Sequence, residues 1–171
     1  MPTFKNLDEI KKYVEKNVAT IKLANGKSIG QILMNESRRL KGIITKQIGM
    51  YYASYRPEYP YRDRTFDLIN SLRIEDMKQS GNELSVRVYF DQATATHPSV
   101  VKGGEPGFTP ILIDQGWEVK KDVWFKDIHM FGHFEGTGFI KAAVEEYNAK
   151  NPYGFKIRVE YTPYSNLNFE T

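Results

Sequence analysis

Residues 28–52 read SIGQILMNESRRLKGIITKQIGMYY. Within them Ile29, Ile32, Leu33, Leu40, Ile43, Ile44, Ile48 and Tyr51 recur with a 3.6-residue period and form one apolar stripe. The spacing predicts a single long helix. Gly30, Gly42 and Gly49 work against it, at about 1 kcal/mol each relative to Ala. Its other positions include Arg38, Arg39, Lys41 and Lys46, which read either as a solvated charged face or as a track for phosphates.

Outward toward the N-terminus, Asn25-Gly26 marks a turn. Before it, Asn6 followed three residues later by Glu9 has the form of a capping box, and Leu7, Ile10, Val14 and Val18 repeat at helical spacing. A first helix over about residues 7–17 follows, in an N-terminal helical extension covering residues 1–25.

Outward in the other direction, residues 51–72 read YYASYRPEYPYRDRTFDLINSL, and their first 14 hold five of the 11 Tyr, two of the eight Pro and three Arg. The two Pro residues oppose a continuing helix. So many rings so close together do not fit one core face. Tyr and Arg are enriched where proteins meet, since each offers a broad flat surface with a polar end. Tyr55, Arg56, Tyr59 and Tyr61 are therefore candidate partner contacts; the alternative is a loop whose rings pack over the edge of the chain's own core.

Phe66, Leu68, Ile69 and Leu72 suit a short helix or turn. Alternation begins again at Leu72, and Leu84, Val86, Val88 and Phe90 alternate strictly with Ser85, Arg87, Tyr89 and Asp91, with Gln79-Ser-Gly-Asn82 between the two runs. This predicts a β-hairpin with one face buried. Residues 92–110 contain three Thr, three Gly and three Pro with no usable period, and are expected to form a long loop. Lys102, Gly103, Gly104 and Phe108 in that loop are the second set of candidate contacts. Its KGGEPG run does not make a phosphate loop, because the Lys precedes the glycines and no Gly-Lys-Ser/Thr follows.

Ile111-Leu-Ile113 and the patch Trp117, Val119, Val123, Phe125 predict one or two more strands. Phe139, Ile140, Ala143, Val144 and Tyr147 mark an amphipathic helix that begins near Thr137 and stops at Asn151-Pro152. Phe155, Ile157, Val159 and Tyr161 alternate with Lys156, Arg158 and Glu160 and read as the cleanest strand. Residues 162–171 form a polar tail. The order predicts an α+β fold in one domain over residues 1–171: an antiparallel sheet packed on one long helix, with a long loop insertion and a C-terminal helix-strand unit.

A chain of 171 residues without Cys needs no staples and excludes disulfides, thiolate nucleophiles and Cys-ligated metal sites. Lys plus Arg is 24 against 21 for Asp plus Glu, an interspersed excess of +3 that does not describe a dedicated nucleic-acid binder. No window has the apolar length of a secretory leader or a membrane span, so neither is expected. His129-Met-Phe-Gly-His133 has the spacing at which a helix offers two imidazoles to one metal, with Asp127 and Glu135 nearby and His97 the only other His. Gly132 between the pair, and Gly136 and Gly138 after it, favour a loop of hydrogen-bonded or exposed His residues instead. No Gly-x-Ser-x-Gly occurs, and Glu145/Glu146 and Glu75/Asp76 are adjacent pairs that point apart on any regular element.

The run Tyr61-Arg-Asp-Arg64-Thr65-Phe-Asp-Leu68-Ile-Asn-Ser71-Leu72, after a long amphipathic helix and before a hairpin, resembles the Tyr-x-x-Arg-Thr-x-x-Leu-x-x-Ser-Leu/Ile signature of tailed-phage tail-completion or head-tail joining proteins. Residues 138–143, GFIKAA, look like the late segment of that family, where an aromatic-led helix precedes the final strand. Many members carry Gly directly after the Arg-Thr pair, where Phe66 stands here. The resemblance implies a non-enzymatic virion protein of the neck or tail end, assembled in the host cytoplasm. Copies of itself would form a ring between head-connector and tail proteins, with double-stranded DNA passing through the lumen without specific binding. No cofactor, metal or membrane is implied. Two rival readings remain beside it: a small nucleic-acid-binding protein using Arg38, Arg39, Lys41 and Lys46, and a metal-dependent hydrolase built on His129 and His133.

Overall fold

The structure, a computed structural model, describes residues 6–54, 66–97, 107–125 and 128–161. The backbone gathers into two compact units, one of Met1–Gly42 with Arg73–Tyr89 and one of Ile43–Leu72 with Phe90–Thr171. The class is α+β, with one long helix and antiparallel strand pairs. Pairing is spread over four two-stranded ribbons among the described residues, where the sequence pattern pointed to a single sheet.

In the first unit, helix α1 spans Leu7–Asn17, and Asn6 Oδ1 accepts the Glu9 N–H at 2.9 Å, as the capping pattern required. One tight turn, Val18–Thr20, follows and buries Val18. The long helix α2 runs Ile29–Ser54 and passes from the first unit into the second after Gly42. Its start is a reciprocal capping box: the Gln31 N–H donates to Ser28 Oγ at 3.2 Å and the Ser28 N–H to Gln31 Oε1 at 3.0 Å. Gly30 lies so close to the chain that an added Cβ would stand 2.9 Å from the Ala19 carbonyl oxygen and 3.0 Å from the Met77 Cε. Ile32 is buried on the predicted stripe.

The predicted hairpin is present in pieces. Strands β1 (Leu72–Ile74) and β4 (Val88–Phe90) pair at its base, and β2 (Lys78–Ser80) and β3 (Glu83–Ser85) at its tip, in the register Ser80↔Glu83 around Gly81 at φ 60°. The expected buried face is only half-buried: Leu84, Val86 and Val88 are intermediate and β2 is exposed throughout.

In the second unit, α2 buries Ile44 and Ile48, and the short helix α3 (Asp67–Asn70) buries Leu68. The expected long loop begins and ends in regular structure: α4 (Gln92–Ala95), β5 (Thr96–His97) and β6 (Gly107–Phe108), with β5 and β6 antiparallel. Asp91 caps α4 by accepting the Thr94 N–H at 3.1 Å. The run Ile111-Leu-Ile113 is not a strand but the middle of helix α5 (Thr109–Gln115), in whose first turn Pro110 stands, where a missing N–H costs nothing. Strands β7 (Gly116–Phe125) and β8 (Ile128–Glu135) form the longest ribbon, with a register shift between Val119 and Val123. Helix α6 (Phe139–Asn148) buries Phe139, Ala143 and Tyr147, four residues apart on one face. Phe90 meets Phe139 edge-on at 6.0 Å between centroids.

Residues 155–161, expected as a strand, form no ladder. The Asn151 side chain takes both backbone groups of Phe155, donating to its carbonyl at 2.8 Å and accepting its N–H at 3.2 Å, and so supplies locally what a partner strand would supply at a distance. Residues 162–171 lie outside the described residues.

Candidate functional site

Of the predicted contact residues, Tyr55, Arg56, Tyr59, Tyr61, Lys102, Gly103 and Gly104 lie outside the described residues. Phe108 is half-buried in β6, opposite Thr96. What is described is the base on which the Tyr/Pro segment stands. At the end of α2 the rings of Tyr51 and Tyr52 are 5.7 Å apart, and Tyr52 meets Phe66 edge-on at 5.7 Å. Phe66 is 53% exposed and Met50, one turn back on α2, 57%. Apolar surface is left in the open on either side of the segment.

Phe66 is also the single non-glycine residue with positive φ among the described residues, at φ 55° and ψ 15°. That left-handed conformation suits Gly and costs a side-chain-bearing residue about 1–2 kcal/mol. The position after the Arg-Thr pair is thus one that the backbone reserves for glycine. Leu68, Ser71 and Leu72, the matched positions among the described residues, are all buried, and the Ser71 hydroxyl donates to the Leu68 carbonyl at 2.8 Å. The described residues of this run make a turn into a short helix.

A second uncovered surface lies in the first unit. No residue of α1 is buried: Leu7 is 82% exposed and Ile10 40%, on the face that the periodicity marks as apolar. The helix is held at its C-terminal end, where the Gln79 side chain donates to the Glu15 carbonyl. In the same unit an open groove of about 610 Å³ is lined by Gly30, Met34 and Met77 together with the polar side chains of Lys27, Gln31, Asn35 and Arg38.

The basic residues of α2 differ in their partners. Arg39 is paired with Glu36, Lys46 with Glu146 at 2.8 Å, and Arg38 donates to Asn35 Oδ1 at 3.2 Å. The hydrogen bond from Lys46 holds the Glu146 carboxyl below the usual carboxylate range, and Gln47 donates to the same group at 2.9 Å. Two of the four charges are therefore already answered by carboxylates.

His129 and His133 do not lie in a loop, as the glycines around them suggested, but on strand β8, opposite Trp124 and Glu118 respectively. Four residues of strand separate their Cα atoms by about 13 Å, so the helical argument for a shared metal does not hold. Among the described residues no three His, Asp or Glu side chains gather as metal ligands, and no helix is long and apolar enough to cross a membrane.

The one buried carboxylate among the described residues is Asp114, at the end of α5. Its Oδ1 accepts the Ile140 N–H at 2.8 Å and its Oδ2 the Tyr161 hydroxyl at 2.6 Å. Helix α6 begins at Gly138 in a left-handed conformation without a side-chain cap of its own, so Asp114 caps it from another element. Sequence periodicity has no means of finding such a cap, since the partner is 26 residues away. Both oxygens of this carboxylate are engaged in holding structure.

No family model matches the chain, and no curated protein or solved structure does.

Proposed function

We propose that this chain is a structural protein of a tailed-phage virion, a ring subunit of the neck or tail end that joins head and tail and performs no catalysis. One observation carries the reading. The position where many members of that family have Gly is left-handed at Phe66, and the neighbouring positions Leu68, Ser71 and Leu72 are buried, so the resemblance follows the physical demands of one turn. A chance match of polar and apolar letters has no reason to respect a backbone conformation.

The uncovered apolar surface supports the same reading. Subunits of a ring need two different complementary sides, and Met50 with Phe66, and Leu7 with Ile10, are apolar surfaces in the open. Neighbouring copies, or the head-connector and tail proteins above and below, cover such surfaces in an assembled particle. The lumen passes double-stranded DNA, and a wall that gripped phosphates would retard it; the pairing of Arg39 and Lys46 with carboxylates suits a wall that does not grip.

The test is genetic and in vitro. Cells infected with a phage lacking this gene accumulate filled heads and finished tails that remain separate, and adding the purified protein to such an extract joins them. Normal infectious particles in the absence of the gene overturn the reading.

A further inference from the structure

We infer that two copies of this chain pair backbone to backbone through residues 157–161, antiparallel, in the register that sets Val159 of one copy opposite Val159 of the other. A contact of this kind closes at two copies and builds no ring, so it goes beyond the reading above and does not depend on it.

The segment is a strand without a partner. From Phe155 to Tyr161 the chain makes no helix, turn or bend, and no backbone N–H or C=O of residues 156–161 is hydrogen-bonded among the described residues. It lies at the surface: Lys156, Arg158, Val159, Glu160 and Tyr161 are exposed and Ile157 is half-buried. The Asn151 side chain holds it at Phe155 and the Asp114 carboxylate at Tyr161, so the backbone between is already ordered before anything binds. A row of open amide groups is a template for one thing, another extended backbone.

The side chains say which backbone. In the register centred on Val159, Ile157 meets Tyr161, Arg158 meets Glu160, Val159 meets itself, and the two-fold axis repeats the first two pairs. Each charge faces its opposite and each apolar residue an apolar one, and both kinds of cross-strand pair are favourable. The five positions carry one Arg and one Glu, so two copies bring equal numbers of both signs. Centring on Arg158 instead would set Arg against Arg, and a slip of one residue would set the apolar positions against the charged ones. Arg158 and Glu160 already share a face, with Arg158 Nε 3.0 Å from Glu160 Oε1. That exposed pair is weak and yields to cross-strand partners.

Five paired residues bury far less than the roughly 1,600 Å² of a standing interface, so covalent trapping is the appropriate readout. The absence of Cys from the natural chain leaves an introduced Cys as the only thiol. Val159→Cys and Arg158→Cys are purified separately and oxidised mildly. Directly opposed residues have Cα atoms about 4.5–5.5 Å apart, within reach of a disulfide, whereas in this register the two copies of position 158 are about 8 Å apart, beyond it. The expected result is a disulfide dimer of Val159→Cys that forms about tenfold faster than that of Arg158→Cys. Adding Arg158→Glu to Val159→Cys should slow it, by setting Glu against Glu, and adding Glu160→Arg as well should restore the rate. All of these positions are exposed, and circular dichroism confirms that each variant is folded. Faster trapping at position 158, equal rates at the two positions, or a rate indifferent to the charge reversal overturns the pairing. A natural chain that sediments as a monomer at about 1 mM overturns it as well. Failure of the ring reading is seen separately, in normal particles formed without the gene.

Discussion

Tyr161 donates its hydroxyl to Asp114 Oδ2 at 2.6 Å, tying the end of the extended segment to the carboxylate that caps α6. Around this bond the chain is close-packed: a Cβ on Gly136 would collide with the Asp114 carbonyl oxygen, and the Gly138 N–H donates to that same oxygen at 2.9 Å. Removing the carboxylate therefore strips a helix cap and a tether together. Asp114→Ala is expected to cost about 2 kcal/mol and Tyr161→Phe about 1 kcal/mol, measured by denaturant unfolding. Equal and negligible effects would mean that α6 is capped by something else.

The same bond gives a pH dependence. Burial of the hydroxyl end, then the hydrogen bond to Asp114 and its negative charge, push the Tyr161 phenol up to about 12 from 10.0. The residue as a whole is 40% exposed, but its hydroxyl ends on the buried carboxylate. A group whose pKa is raised by folding contributes its full stability below the unfolded value and loses it as pH rises through the folded one. The stability difference between the wild type and Tyr161→Phe should accordingly be constant below pH 10 and shrink between pH 10 and 12. A difference that persists above that window contradicts the contact.

Two glycines of α2 should respond in opposite directions. Gly42 has nothing within 4 Å of an added Cβ, so Gly42→Ala is expected to stabilise the chain by about 0.5–1 kcal/mol. Gly30→Ala pushes a methyl group against the Ala19 carbonyl and Met77, and should destabilise. Paired thermal melts check both signs.

At position 66 the left-handed backbone opposes the ring contact. Phe66→Gly relieves the conformation and loses the edge contact with Tyr52, for a net change within about 1 kcal/mol. Phe66→Val keeps the strain, adds a β-branch and loses the ring, and should cost about 2 kcal/mol or more. Unfolding curves that rank Val above Gly would remove the physical basis for reading the position as one reserved for glycine.

Much of the helical fold was legible because helix signals are local. The stripe from Ile29 to Tyr51, the Asn6 cap and the face of Phe139, Ala143 and Tyr147 all appear as read. Ser28 and Gln31 carried a second capping box in plain sight, as a Ser three residues before a Gln. Strands were less legible, since alternation describes where side chains point and not whether a partner strand exists. Residues 155–161 alternate faultlessly, yet Asn151 takes the Phe155 backbone. The run Ile111 to Ile113 lacked a period because it is too short to have one, and Pro110 was the better signal. The His pair misled through Gly132, which β8 accommodates without leaving the ladder opposite Val119. The Asp114 cap joins residues that only the folded chain brings together.

The most direct measurement of the assembly claim is electron microscopy of purified phage particles with an antibody or added density on this chain. A ring of label at the junction of head and tail, or at the tail end, is the expected result. Particles in which the chain is absent, or scattered over capsid and fibres without a fixed site, would contradict it.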